Sequence, residues 1–356
     1  MIPQHGLASQ DIGPGGAARS IAAAIDRNFF FFALALVVPA AARWPGLACT
    51  GGPLHPEVTV FWCVIVLIFL LEGLELPTDA MLGAMRRLET HAAVQLFSLV
   101  FFPAATLAVC AVLEAAGAPL PPVLREGFIA LACVPTTTSM CVMLSAKAGG
   151  NQALAAVSAL IANTVAIVAT PWLLSSLTRI DPNLSYPALW LSLCGKMVLP
   201  LLAGQLLRPR LAPLLAPHRP TVIKLSQTLI LTLLFQIFSD VFHHGGAVPP
   251  ATLLRVALLV PILHAVFLAA AWAAGGGLRE GGGVGGGCGA LSLSRPDRVA
   301  FLYCASQKTV VLGVPLLRAV YGDRPPAELV VLLLPLLFYH VLELVVGLCL
   351  APPLRR

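Results

Sequence analysis

Two polar runs interrupt stretches of the chain that are otherwise apolar. Pro135 is followed by four hydroxyl side chains, Thr136, Thr137, Thr138 and Ser139. Far downstream, Ser306, Gln307, Lys308 and Thr309 stand just before Gly313 and Pro315. The chemistry these residues offer is binding rather than bond-making. A proline removes one backbone donor and frees the carbonyl a turn earlier. Hydroxyls can bond back to their own helix, or they can present oxygens to an ion or solute. Four behind a proline, matched by a second polar break, favour a site, because carriers bind solutes at interrupted helices near the membrane midplane. Pro135, Gly313 and Pro315 are the expected breaks. A charge at mid-membrane costs about 2.5–3.5 kcal/mol on insertion scales, so Lys308 needs a purpose. Two purposes stay open: a donor that holds an anion or carboxylate, or a tethered ammonium that bonds freed carbonyls in place of a bound cation.

Other chemistry is thinly represented. There is no G-x-S-x-G, H-E-x-x-H or P-loop, so no catalytic residues and no enzyme are expected. The nine cysteines lie scattered without C-x-x-C spacing and read as small packing residues, with no metal site or other cofactor. Gln95, Asn163, Lys196, Gln236, Asp240 and His264 each read as an interhelical hydrogen bond. His340 and Glu343, three apart on one helical face, would suit a metal or a proton relay, but no third ligand accompanies them. Glu72 and Glu75 close an apolar run and read as solvated groups near the interface.

Residues of these kinds must be positioned by membrane helices. Hydrophobic residues make up 58% of the chain and charged residues 11%, too few charges to cover a soluble surface. The pattern predicts an all-α membrane protein of ten spans: 28–43, 58–76, 92–116, 127–147, 152–178, 185–207, 221–241, 251–274, 298–321 and 328–350. Of 22 Lys and Arg residues, Lys196 and Lys308 fall within spans; the other twenty divide fourteen to six in favour of the N-terminal side. Both termini are therefore expected in the cytoplasm. The net charge of +6 is a topology signal, with membrane lipid as the neighbour and no nucleic acid as partner. The interrupted spans are the fourth and ninth, and the odd offset predicts two inverted five-helix repeats. The expected organisation is a cytoplasmic tail over 1–27, a transporter domain over 28–352 and a C-terminal tail over 353–356. A flexible Gly-rich cytoplasmic loop is expected over 275–297. A cleaved secretory signal is not expected.

With Gly51-Gly52-Pro53-Leu54-His55-Pro56-Glu57, Phe101-Phe102-Pro103-Ala104, Lys147 through Asn151, Val198 through Gln205, Phe238-Ser239-Asp240, Ser306-Gln307-Lys308 and Tyr339-His340 in order, the chain resembles the bile acid:sodium symporter superfamily, nearest its sodium/bile acid cotransporter 7 branch. The resemblance runs from about residue 28 to 352. It implies a panel domain and a core domain, with helices 4 and 9 crossing at their breaks, and alternating access for an organic anion. Sodium is the coupling ion such kinship implies. Here Met140 and Cys141 occupy the places of a Ser-Asn pair, no acid lies between Val299 and Val311, and Gln95 and Gln307 alone could still serve. The branch also implies a part in calcium homeostasis, with a non-transporting regulator of calcium entry as the alternative and a calcium channel or pump as its partner. Plasma membrane, Golgi or endoplasmic reticulum, or a plastid envelope would house it. The expected solute site comprises Thr136, Thr137, Thr138, Ser139, Ser306, Gln307, Lys308, Thr309 and Gln95.

Overall fold

The computed structural model describes residues 29–75, 78–178, 187, 191–192, 194–244, 248–276 and 293–355. The described residues fold into helices and contain no strand. In a bilayer this is the physical requirement, since each helix pairs its own backbone groups. In chain order the helices are α1 (Phe29–Arg43), α2 (Pro56–Glu75), α3 (Thr78–Met85), α4 (Leu88–Ala115), α5 (Pro122–Cys133) and α6 (Thr138–Lys147). They continue with α7 (Gln152–Thr178), α8 (Cys194–Val198 running on as Leu199–Leu215), α9 (Arg219–His244), α10 (Pro250–Ala274), α11 (Arg295–Ser306), α12 (Val310–Tyr321) and α13 (Pro326–Arg355). Seven helical runs are long and apolar enough to cross a membrane, or eight when the bent pair α5–α6 counts as one span. The chain is an integral, multi-pass membrane protein.

Two sets of helices pack within themselves. In the first, α2 lies along α8, and α9 packs on α1 and α2. The α2–α8 crossing is close because two glycines face one another. A Cβ on Gly73 would fall 2.3 Å from the Leu201 carbonyl, and one on Gly204 would fall 2.3 Å from that of Leu70. The second set surrounds α11 and α12. There α11 packs on α6, α7 and α10, while α13 packs on α5 and α12. The α11–α12 run is buried throughout its most apolar stretch and forms the centre of the molecule.

Both ends of that central run are clamped. At its start Ser294 caps α11 by accepting the Asp297 N–H, and the buried Asp297 accepts from Asn151 Nδ2 at 2.8 Å and pairs with Arg87 at 3.2 Å. At its end Arg318 pairs with Asp240 of α9 and donates to Thr50 Oγ1 at 2.9 Å. Asp240 also accepts the Thr50 backbone N–H at 2.6 Å and the Gln236 amide. Helix α11 begins at Arg295, inside the expected 275–297 loop, most of which (277–292) lies outside the described residues. Helix α13 likewise runs to Arg355, through the expected C-terminal tail. The expected N-terminal tail lies outside the described residues.

Candidate functional site

The break between α5 and α6 follows from Pro135. Val134, before it, is extended (φ −75°, ψ 151°), as the clash with a following proline ring demands. The chain stays extended to Thr137 (φ −87°, ψ 132°), then resumes as α6 after a bend of 62°. The second break, Gln307 to Thr309, is extended as well (Gln307 ψ 154°, Thr309 ψ 132°). The two extended segments touch: the Thr309 N–H donates to the Pro135 carbonyl at 2.8 Å.

Backbone groups released at such breaks must find partners, because no lipid can supply them. Lys308 does most of this. Its Nζ donates to the carbonyls of Ala132 and Val134, each at 2.8 Å, to the Ser98 carbonyl at 3.1 Å and to Ser98 Oγ at 3.2 Å. Ser98 belongs to a π-helical turn of α4, Phe97–Phe101. Such a turn breaks the regular carbonyl ladder and re-aims its oxygens. The Phe102 ring lies 4.0 Å from the ammonium, a cation–π contact. Other released groups find side-chain partners. Thr170 Oγ1 donates to the Cys133 carbonyl at 2.7 Å, and Tyr339 OH to the Ser306 carbonyl at 2.6 Å. Glu343 Oε2 accepts the Lys308 N–H at 2.7 Å, and Glu343 Oε1 lies 2.7 Å from His340 Nδ1.

Of the two purposes open to Lys308, this geometry is that of the tethered ammonium. Its side chain is 0% exposed and four oxygens surround it, so it offers no donor to a solute. Thr136, Ser306 and Gln307 also lie away from open space. Thr136 Oγ1 lies 3.2 Å from Cys141 Sγ, which donates to Gln307 Oε1 at 3.4 Å; Ser306 Oγ bonds back to Leu302 at 2.7 Å. Gln95 is half-buried with both amide atoms unpaired, and it lines neither cavity described below.

The other half of the expected set does face open space. A cavity of about 640 Å³ runs between the two helix sets. Thr138, Ser139 and Met140, at the start of α6, line it together with Glu72 of α2; Arg208 of α8 and Arg219 of α9 line it too. The side chain of Thr137, at the α6 N-cap, makes no capping hydrogen bond. Its first N–H groups therefore keep the partial positive charge of a helix start. Ser139 Oγ donates to Glu72 Oε1 at 2.6 Å. A second, small cavity of about 10 Å³ adjoins this point, lined by Glu72, Thr137, Thr138, Ser139, Asn163, Thr309 and His340 among others.

Two expectations are corrected. Glu72 is not a solvated interface residue: it turns inward and bonds across to Ser139, and the apolar run before it carries no sign of that direction. Gly313 and Pro315 do not break the ninth span, for α12 runs unbroken through both. The break falls earlier, at residues 307–309, and Gly313 instead admits neighbours, since a Cβ there would lie 3.0 Å from Leu336 and 3.1 Å from Val134. Asn163 makes the interhelical bond expected of it, to Thr138 Oγ1 at 2.9 Å, and both Asn163 and His340 line the small cavity. The i, i+3 spacing of His340 and Glu343 was the one sequence signal pointing there. Among the described residues no three His, Cys, Asp or Glu side chains group as metal ligands.

Apolar helices around a cavity that reaches a broken span suit a membrane transporter, and comparison with known proteins agrees. The model of the SBF-like CPA transporter family matches residues 28–356, and the chain belongs to that family. It is similar to sodium/bile acid cotransporter 7 of Danio rerio, 29% identical over 94% of this chain and 95% of the relative. The Mus musculus protein of that name is 26% identical over 92% of this chain and 93% of its own length. A putative symporter of Escherichia coli, YfeH, is 25% identical over 82% and 83%. These relationships mark a transporter and not an enzyme.

Proposed function

We propose that the protein is a secondary-active transporter of a small organic anion, bound where α6 begins. The observation that carries this is the uncapped α6 N-terminus at the end of a 640 Å³ cavity. Helix starts favour anions, and the Thr138 hydroxyl, which accepts from Asn163, keeps its hydrogen to donate, while Ser139 stands beside it at the cavity wall. Arg208 and Arg219, lining the same cavity, would draw an anion inward.

The wider architecture we read as ten spans in two inverted repeats. The eight spans above become nine if the 51-residue run Cys194–His244 is two spans, and ten with the 15-residue α1. In this reading α1, α2, α8 and α9 are a panel that moves against a core holding both breaks, and the termini are cytoplasmic. The donors argue against sodium. Met140 and Cys141 supply no oxygen where sodium-coupled kin carry Ser and Asn, and the Lys308 ammonium already occupies the carbonyls of the crossing.

Uptake into proteoliposomes of a panel of radiolabelled carboxylates and sulfonates tests the reading. The wild type accumulates at least one of them, and Ser139→Ala and Thr138→Val lose that uptake while staying folded, with Thr138→Val, which strands the Asn163 amide, melting lower than Ser139→Ala. Uptake of that compound undiminished in both variants would remove the solute from this site.

A further inference from the structure

Behind the solute site lies a set of groups that anion binding does not use. His340 Nδ1 lies 2.7 Å from Glu343 Oε1 and 3.3 Å from the Lys308 carbonyl, two acceptors that fix the proton of a neutral ring on that nitrogen. His340 Nε2 is then a lone pair. It is buried without a partner on a residue 2% exposed, and the residue lines the small cavity. Asn163, 8% exposed, lines the same cavity; its Nδ2 donates to Thr138 Oγ1 at 2.9 Å, while its Oδ1 has no partner. Two unpaired buried acceptors around a space of about 10 Å³ are a lodging for one water, which needs roughly that volume and two or more polar partners. Glu72 lines this space too, and it also borders the large cavity.

We propose that His340, backed by Glu343, is a proton-binding station reached from the large cavity through Glu72 and one water in the small one. The transfer balances simply. The O–H of a protonated Glu72 breaks, the water passes a proton on, and an N–H forms on His340 Nε2. Glu72 is left as a carboxylate, and His340 becomes an imidazolium facing the Glu343 carboxylate. One intervening water is within the ordinary reach of proton transfer. Nitrogen acceptance also separates this site from an alkali-cation site, because hard cations take oxygen ligands.

The charged surroundings are few. Glu75 follows Glu72 by one turn, and Arg208 and Arg219 line the same large cavity. Around His340 are Glu343 on its own helix, the backbone of Lys308, whose ammonium points to Ser98, Ala132 and Val134, and Tyr339, against which His264 of α10 packs at 5.0 Å. Cys141 of α6 donates at 3.4 Å to Oε1 of Gln307, next to Lys308 in the chain. The proposal deepens the transport reading by naming the proton as the coupled ion. An anionic solute at α6 would face the Glu72 carboxylate, and two carboxylates so close hold one proton between them.

The test needs no solute. Proteoliposomes on a solid-supported membrane receive a pH jump at constant sodium, and the displaced charge is recorded. The wild type is expected to give a transient above protein-free liposomes. Glu72→Gln and Glu343→Gln should each lose it, and Glu72→Asp should restore part of it. Among the described residues Glu72 makes one side-chain hydrogen bond, to Ser139, and it borders a cavity, so its variants keep the fold, which melting curves verify. A full transient in Glu72→Gln, no transient in the wild type, or a transient evoked equally by a sodium jump at constant pH overturns the proposal. A Glu72-dependent transient in a protein that accumulates no anion would sink the transport reading alone; anion uptake without any transient would sink the proton station alone.

Discussion

The ammonium of Lys308 lies 2.8 Å from the carbonyl oxygen of Val134, on the other broken span. That bond, with the parallel one to Ala132, crosses the middle of the molecule and joins two backbones that each lost their own helical partners. A side chain thus does what a bound cation could do, without leaving when the transporter turns over. Lysine suits the place because its compact head carries three donors on a flexible stem.

Replacing Lys308 by Met should therefore destabilise the protein severely. Each buried acceptor left unpaired costs about 1–3 kcal/mol, and four oxygens depend on this ammonium. Thermal unfolding in detergent should show a large drop in midpoint. In Lys308→Ala, added ammonium or sodium should recover part of it, with no response from the wild type. An unchanged midpoint in both variants would contradict a structural role.

Asp240 holds Arg318, the Thr50 backbone and Gln236 together. Its removal strands an arginine whose side chain is only 17% exposed. Breaking such a pair from one side costs about 3–5 kcal/mol when it is fully buried, so Asp240→Ala should lose somewhat less than that. Thr50→Ala, which keeps the ion pair, should lose about 1 kcal/mol. Equal losses in the two variants would show that the ion pair carries no special weight.

Gly73 and Gly204 set the distance between α2 and α8. Ala at either position drives a methyl to 2.3 Å from a carbonyl oxygen, with backbone on both sides and nothing flexible to yield. Overpacking of this kind costs about 1–3 kcal/mol, occasionally more. Both variants should express poorly and elute broadly in gel filtration. Ala at Gly83, whose Cβ would meet nothing within 4 Å, is the control and should behave as wild type.

Ser139→Ala removes the one hydrogen bond to Glu72 but leaves no buried donor stranded. Its stability effect should stay near 1 kcal/mol, whereas solute uptake should be lost. A variant that unfolds would show instead that the Glu72–Ser139 bond braces the two helix sets.

Much of the fold is legible in the chain, because each span announces itself by its own apolar length and composition. Helix α7 covers residues 152–178, as its apolar run predicts, and the break at Pro135 follows from a proline that any helix must accommodate. The site is legible only in part. Thr137, Thr138, Ser139 and Thr309 reach the cavities, yet Thr136, Gln307 and Lys308, their immediate neighbours, do not. Thr136 and Thr137, and likewise Lys308 and Thr309, are neighbours in extended segments, where adjacent side chains point to opposite faces, and no local pattern says which face meets the solute.

The sequence by itself determined that this is a multi-pass helical membrane protein with two polar interruptions, since hydropathy and proline act locally. Only the tertiary structure decided which partners those interruptions find. Lys308 could equally have faced a solute or the carbonyls of Ala132, Val134 and Ser98, and Glu72 could have faced lipid headgroups or Ser139. Each choice rests on residues 67 to 210 positions apart. It is settled by the cost of leaving a backbone group or charge unpaired inside a bilayer, and the partners that relieve that cost come only from the packed helices as a whole.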